Sequence, residues 1–578
     1  MGSPTAMMNN PRVFMWIALA AVLVLNYQAW VRDYGPVDAP AATPAAVTGT
    51  SGAAVSGLDQ AVPQTFSVDT TKTPSTRQAA SVAAASDVPA LEPPGRTATN
   101  SAVVHVHTDV LDMDISLQGG TVEKADLLRY PKVKGEREPV RLMNEDNEES
   151  FFLLKSGLTG PGDTPRPTQL ATFSAASDQY DLGSARELAV PLTWTDGHGV
   201  TVTKTFTFRR GDYRIGLAYQ VDNRSTSPWE AAIYAQILRF DPPSSRSMFN
   251  VESYAFHGPA IYDGTKYRKL KIDDADDRRL AVEVRNGWLA ALQHHFVSAI
   301  VPAPDSSNRF SLSAQGRRYQ LSTVGPLRTV APDETATFQE TLFIGPKLQA
   351  DLESAGPRLE LVADYGVLTI IAKPLFWLLG QVHAFVGNWG VTIVIVTFLL
   401  KLLFYPLSEA SGRSMAKMKT LAPRIKNLQD TYKEDKEKLG RAMMELYKRE
   451  KINPVAGCLP IIIQIPVFLA FYWVLLESVE MRQAPFVGWI HDLSARDPLF
   501  ILPAIMAGAM FVQYKLNPTP PDPVQAKVFM IMPLVMSATF AFFPAGLVLY
   551  WVTNTLLSIA QQWNINRRIS AAAAKKTA

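Results

Sequence analysis

From Trp389 the chain reads WGVTIVIVTFLLKLLFYP, eighteen residues whose only charge is Lys401. Lipid offers no partner to a backbone N–H or C=O, so such a run can enter a bilayer only as a helix. Four further apolar runs follow at about 455–477, 499–515, 528–543 and 545–563, and another lies at 13–30. Prolines 460, 466, 503 and 533 fall inside them, which membrane helices tolerate because neighbouring groups satisfy the freed carbonyls. The runs predict an α-helical polytopic membrane protein with six transmembrane (TM) helices, the last five forming a core over 389–563.

The first run, VFMWIALAAVLVLNYQAW, spans about 27 Å as a helix and follows Arg12. Its small-residue triplet Ala18-Leu19-Ala20 lies mid-run, and no cleavage site follows the apolar part. Residues 1–33 therefore read as an uncleaved anchor with its N-terminus inside, rather than a signal peptide. MNNPRVF from Met8 would serve as a start, making the residues before it an upstream extension. Residues 34–100 are rich in Ala, Pro, Ser, Thr and Val and cannot bury enough apolar surface to order themselves. They read as a tether.

Residues 101–346 have a different period. VTVTKTFTF puts Val200, Val202, Phe206 and Phe208 on one face, and YRIGLAYQV alternates from Tyr213 to Val221. This is the pattern of half-buried antiparallel strands, and its extent predicts a large antiparallel β-sandwich. His294 and His295 are adjacent, so on a strand they would face opposite sides; they read as structural or surface histidines. In 347–388, Leu359, Val362, Gly366, Val367 and Ile370 recur at helical spacing. That suggests an amphipathic helix in the membrane interface, or one packed on the β domain.

Loop charge orients the spans. The segment 409–454 carries 12 Lys/Arg against 7 Asp/Glu, and the tail 564–578 holds Arg567, Arg568, Lys575 and Lys576. Both are expected inside. The loop 478–498 has only Arg482, His491 and Arg496 as basic residues and is expected outside, with the β domain. Within 409–454, Met415, Met418, Leu421, Ile425, Leu428 and Tyr432 recur at three and four, as do Leu439, Met443 and Leu446. Two antiparallel helices forming a hairpin fit this spacing. Net charge is only +3, too small to argue for nucleic acid. The single cysteine, Cys458, allows no intrachain disulfide. No zinc spacing, phosphate loop or other cofactor motif is present.

Lys401 lies roughly 18 Å below Trp389 on a helical rise, just past the midplane of a ~30 Å hydrocarbon core. An intramembrane cation costs roughly 2.5–3.5 kcal/mol on insertion scales. No Asp or Glu occurs in 372–408, 455–476, 499–516 or 528–563. Lysines near helix ends snorkel, but helical side chains lean toward their own N-terminus, here away from the inner headgroups. Thr397, Gln464, Ser537 and Asn554 offer polar groups at similar depth. Helix–helix glue and a hydrated cavity are both open readings; the unpaired lysine favours the cavity.

GNWGVTIVIVTF, YPLSEAS, LYKREKINPVAGCLPIIIQIPVFLAFYWVL, VEMRQAP, WIHDLSARDP and FPAGLVLYWVTN together resemble the YidC/Oxa/Alb family of membrane protein insertases. The first span and outer β domain match its Gram-negative form. The resemblance implies an insertase and chaperone of the inner membrane, not an enzyme, with a periplasmic β domain and both termini cytoplasmic. It implies a hydrophilic inner-leaflet groove whose single positive residue, here Lys401, attracts the acidic outer part of an incoming protein. Most relatives carry arginine there, so lysine is a departure: it keeps the charge and loses the bidentate fork. By matching motif, Ile465, Pro466, Phe468, Pro533, Thr539, Tyr550 and Trp551 would contact the incoming helix. Implied partners are nascent membrane proteins, the SecYEG translocon, the lipid bilayer, and ribosomes or signal-recognition-particle receptor at the cytoplasmic loops and tail. No cofactor is implied.

Two other classes compete. A secondary transporter would also use an intramembrane cation, but should show two related halves, and no repeat is visible. A membrane-tethered carbohydrate-active protein would need paired carboxylates in a cleft.

Overall fold

The computed structural model describes residues 102–242, 255–432, 435–450, 459–516 and 523–577. The expected anchor, the tether and Cys458 lie outside the described residues.

The β region is a sandwich of an eleven-stranded and a nine-stranded sheet. Its pairings are antiparallel except Val103–His107 with Gln179–Asp181. Strand Val200–Arg209 alternates buried and part-buried residues along its length and pairs with Arg214–Asn223 in the register Phe206↔Leu217 and Val202↔Val221. Those side chains join Ile237, Leu321 and Phe310 in one core cluster.

That same inward face holds Lys204, which is fully buried. Its Nζ donates to the Gly119 and Gly120 carbonyls at 2.9 and 2.8 Å and lies 4.9 Å from the Phe206 ring centroid. Both glycines have positive φ (72° and 58°), and a Cβ on Gly120 would stand 2.7 Å from Nζ. Glycine is what lets the turn bring two carbonyls onto the ammonium. Burial pushes the Lys204 amine well below its ordinary pKa.

The chain beyond 346 stays with the sandwich further than its helical spacing suggested. Leu359 and Val362 are buried in the β core, together with Leu352 and Ala355. They sit on a short 3-10 turn, Leu359–Val362, and Gly366 opens another. The interfacial-helix reading is therefore corrected for these positions: their apolar side chains serve the sandwich. The helix itself is α1, Thr369–Val386, where Ile370 is exposed.

The helical region then runs α2 (Trp389–Leu403), α3 (Tyr405–Thr420), α4 (Ala422–Thr431), α5 (Lys436–Arg449), α6 (Leu459–Glu477), α7 (Ile501–Leu516), α8 (Pro523–Phe540) and α9 (Ala545–Thr577). The run expected as one span to 408 breaks after Leu403, where α3 turns away by 62°. Helix α3 begins directly at Tyr405, and the first helix of the expected hairpin is divided between α3 and α4. In the hairpin, Leu421 and Ile425 pack on Met443, Leu446 and Tyr447, and Arg424 pairs with Glu450 at 2.7 Å. The basic tail is no separate segment, because α9, 33 residues long, continues through it to Thr577.

By length and composition α1 alone passes as a membrane-crossing helix among the described residues, and α2 with part of α3 passes as a bent pair. A second core holds this region together, with Ile393, Val396, Phe471, Val474, Met506 and Val548 buried between helices.

The β region is held to the outer end of α6 and the loop behind it. Arg482 donates to the Pro131 carbonyl at 2.8 Å, Gln483 Nε2 to the same oxygen at 2.9 Å, and Lys134 to the Gln483 carbonyl at 2.6 Å. Lys269 pairs with Asp364 at 2.8 Å.

Candidate functional site

Helix α2 starts where Asn388 accepts from the Val391 amide at 3.0 Å, and the Asn388 amide donates to the Phe486 carbonyl at 3.1 Å. This fixes the rotation of α2 and places Lys401 three turns on. The close approach of loop and helix depends on Gly390, where a Cβ would stand 2.2 Å from the Phe486 ring.

Lys401 lines a cavity with Thr397, Leu400 and Phe404, with Ile463, Gln464 and Val467 of α6, and with Tyr550 and Asn554 of α9. Three of the four polar residues singled out beside Lys401 therefore meet there. Gln464 Nε2 donates to Asn554 Oδ1 at 2.8 Å. The Thr397 hydroxyl is committed to its own helix, donating to the Ile393 carbonyl at 2.6 Å. Ser537 does not join them: it is buried and donates to the Pro503 carbonyl of α7. Equal depth was a poor guide for Ser537, because it does not fix which side of a helix a residue occupies.

Among the described residues the cavity lining contains no carboxylate. Lys401 Nζ instead donates to Ser558 Oγ at 2.8 Å, and Ser558 donates onward to the Asn554 carbonyl at 2.7 Å. Ser558 was missed, although it stands one turn past Asn554 on the same face of α9. One polar patch thus ties α2, α6 and α9: lysine, serine, asparagine, glutamine. The cavity volume is about 20 Å³, above the ~10–15 Å³ that one water needs. The hydrated cavity expected from the sequence is narrow in this state.

An aromatic layer covers the patch on the side of the α2 N-terminus. Tyr550 stacks between Phe471 and Phe468 at 4.5 and 5.9 Å, and Trp551 meets Phe468 at 4.8 Å and Phe540 at 5.2 Å. The residues expected to touch an incoming helix divide by exposure. Ile465 and Thr539 are exposed, Pro466, Phe468 and Trp551 are half-buried, and Pro533 and Tyr550 are buried. The last two face the bundle interior. On α8, Val528 to Met532, Leu534 and Val535 are all exposed apolar residues.

Comparison with known proteins identifies the family. Residues 103–378 match the family described as the YidC periplasmic domain, and residues 381–573 match the 60Kd inner membrane protein family. The membrane protein insertase YidC of Thioalkalivibrio sulfidiphilus is 45% identical over 98% of this chain and 100% of its own length. That of Cupriavidus necator is 45% identical over 97% of this chain and 98% of its own. A crystal structure of an active YidC insertase with its first transmembrane domain resolved aligns over 80% of this chain and 93% of its own, at 18% identity and TM-score 0.36; that overlap is too slight to argue from. With a periplasmic β domain followed by a helical inner-membrane region and such identity along the full length, the chain belongs to the YidC family of membrane protein insertases.

Proposed function

We propose that the chain inserts membrane proteins through the Lys401 patch, using the lysine as an electrostatic handle. The observation that carries this is the ammonium's partner at rest: a neutral hydroxyl, with no carboxylate in the cavity lining. An incoming carboxylate would supply the missing charge, and at 4 Å in an effective dielectric near 20 it gains about 4 kcal/mol of Coulomb energy before desolvation. The polar patch lowers the dehydration of a translocating segment, while the aromatic layer keeps it from opening straight through. Helices α2, α6, α7 and α8 have 15, 19, 16 and 18 residues, or about 22–28 Å at the helical rise. Spans below ~30 Å thin the surrounding bilayer and shorten the crossing.

In this reading the chain crosses the inner membrane six times. Five of the helices form the core, both termini are cytoplasmic, and the first span is the anchor. Ile465, Pro466 and Phe468 on α6, Pro533 and Thr539 on α8, and Tyr550 and Trp551 on α9 guide the substrate helix outward. Substrates are nascent inner-membrane proteins. The SecYEG translocon acts beside the core, and ribosomes or signal-recognition-particle receptor meet the α4–α5 hairpin and the basic end of α9. Burial of the substrate's apolar span drives the reaction, aided by the membrane potential on its charge.

The test is insertion into proteoliposomes of a small single-span protein with an acidic outer tail, by wild type, Lys401→Ala and Lys401→Arg. Alanine should lose most insertion and arginine retain it. Equal insertion by alanine would refute the electrostatic handle.

A further inference from the structure

A second basic cavity, of about 530 Å³, opens where the β domain meets the loop behind α6. Its walls carry Lys134, His257, Gln293, His294, His295 and Arg482. The histidine pair does not lie across a strand as its spacing suggested. Both residues sit in the turn between Trp288–Leu292 and Phe296–Pro302, with rings stacked 3.8 Å apart. His294 Nε2 meets the Leu476 carbonyl at 3.0 Å. His295 is 5% exposed, and its Nε2 is buried without a hydrogen-bond partner among the described residues. A buried polar nitrogen in that state is rare in folded proteins and asks for an oxygen that the described residues do not supply.

The charges around the cavity are one-sided. Asp492 is the carboxylate in its wall, and Asp492 Oδ1 is already saturated by the Gln483, Ser494 and Ala495 amides and the Ser494 hydroxyl. Lys132, at the rim, is paired with Glu138. Lys347 lies behind the histidines and feels Glu477. Lys134 holds two backbone carbonyls, of Gln483 and His491, rather than a carboxylate. Burial first, and then nearby cations (Arg239 and Lys347 for His257, chiefly Lys347 for His294), push both imidazoles down to about 4. An anion in the cavity would relieve that crowding.

We propose that this cavity binds the phosphate group of an anionic ligand, held by Lys134, Arg482 and the His257–His294–His295 cluster. The donors come from two structural regions and approach from different sides. That suits a tetrahedral group with several acceptor oxygens better than a planar carboxylate. The site lies at the outer end of α6, where a phospholipid headgroup and free phosphate both have access, and it does not depend on the role assigned to Lys401.

The experiment uses the full chain in detergent. Inorganic phosphate is titrated calorimetrically, then short-chain phosphatidylglycerol is titrated alone and in competition. Gln293→Glu adds a carboxylate to the cavity at constant size, and Gln293→Asn is its uncharged control. Saturable phosphate binding that weakens at least tenfold in Gln293→Glu and persists in Gln293→Asn supports the site. Tighter, competing binding of the lipid assigns the headgroup as the source, and phosphate binding without lipid competition assigns free phosphate. Absence of saturable binding by both probes, equal binding by Gln293→Glu, or binding of an acidic peptide in their place would overturn the proposal.

Discussion

Ser558→Ala separates the charge of Lys401 from the way that charge is held. At rest the ammonium donates to Ser558 Oγ at 2.8 Å. If Lys401 is the proposed electrostatic handle, a substrate carboxylate must take it from that hydroxyl. A hydrogen bond to a charged group contributes about 1.5–3 kcal/mol net. Alanine leaves a gap that water fills, since the adjoining cavity of about 20 Å³ already has room for one. Water returns most of the lost bond, leaving a difference of about 1 kcal/mol, or roughly fivefold. Initial insertion rates would be compared in proteoliposomes for an acidic-tailed single-span protein and for a copy with Asn and Gln in place of its acids. Ser558→Ala should insert the acidic substrate about fivefold faster and leave the neutral one unchanged. If it instead abolishes insertion of both, the hydroxyl is part of the working site and not a resting latch, and the competition argument is wrong.

Glu340 is fully enclosed in the sandwich, and both its carboxyl oxygens lack a partner; burial pushes its pKa up to about 8. Since the folded value lies above the unfolded one of about 4.3, stability is full below the unfolded value and is lost as pH rises from there through 8, by about 4 kcal/mol at pH 7. Thermal unfolding of Glu340→Met should therefore be higher than wild type at pH 7 and less dependent on pH between 5 and 8; an unchanged slope would point to another group. Gly390→Ala drives a Cβ into Phe486 and should destabilise by about 1–3 kcal/mol. Adding Phe486→Ala should restore part of that loss in a double-mutant cycle, whereas simple additivity would show that the two do not touch.

Periodicity carried most of the fold because it reports burial directly. The alternation at 200–208 needs one covered face and the runs after 389 need helices, whatever their neighbours are. It failed where one side chain serves an unexpected partner. Leu359 and Val362 have helical spacing but are buried by the sandwich, and a pattern cannot say which surface does the covering. Phe404 ends α2 inside an unbroken apolar run, where hydropathy has no signal for a bend. Lys204 sat in plain view on the inward face of a strand. Its position was legible from the period of two; that Gly119 and Gly120 would reach it from 85 and 84 residues away was not.

The lysine cavity shows the same limit at a finer scale. Depth along each helix brought Thr397, Gln464 and Asn554 to the level of Lys401, because helical rise is nearly constant. Rotation about each axis is set by tertiary packing, and that is why Ser537 turned to α7 while Ser558, one turn past Asn554, took the ammonium. The absence of acids in the spans, by contrast, could be read without any geometry, and it is the stronger constraint. A carboxylate placed permanently in this cavity would hold Lys401 by several kcal/mol and an incoming acid would have to displace it. A serine holds it by far less. The hydroxyl gives the cation a neutral partner at 2.8 Å, and in the proposed mechanism that leaves its charge unspent until a substrate brings the opposite one.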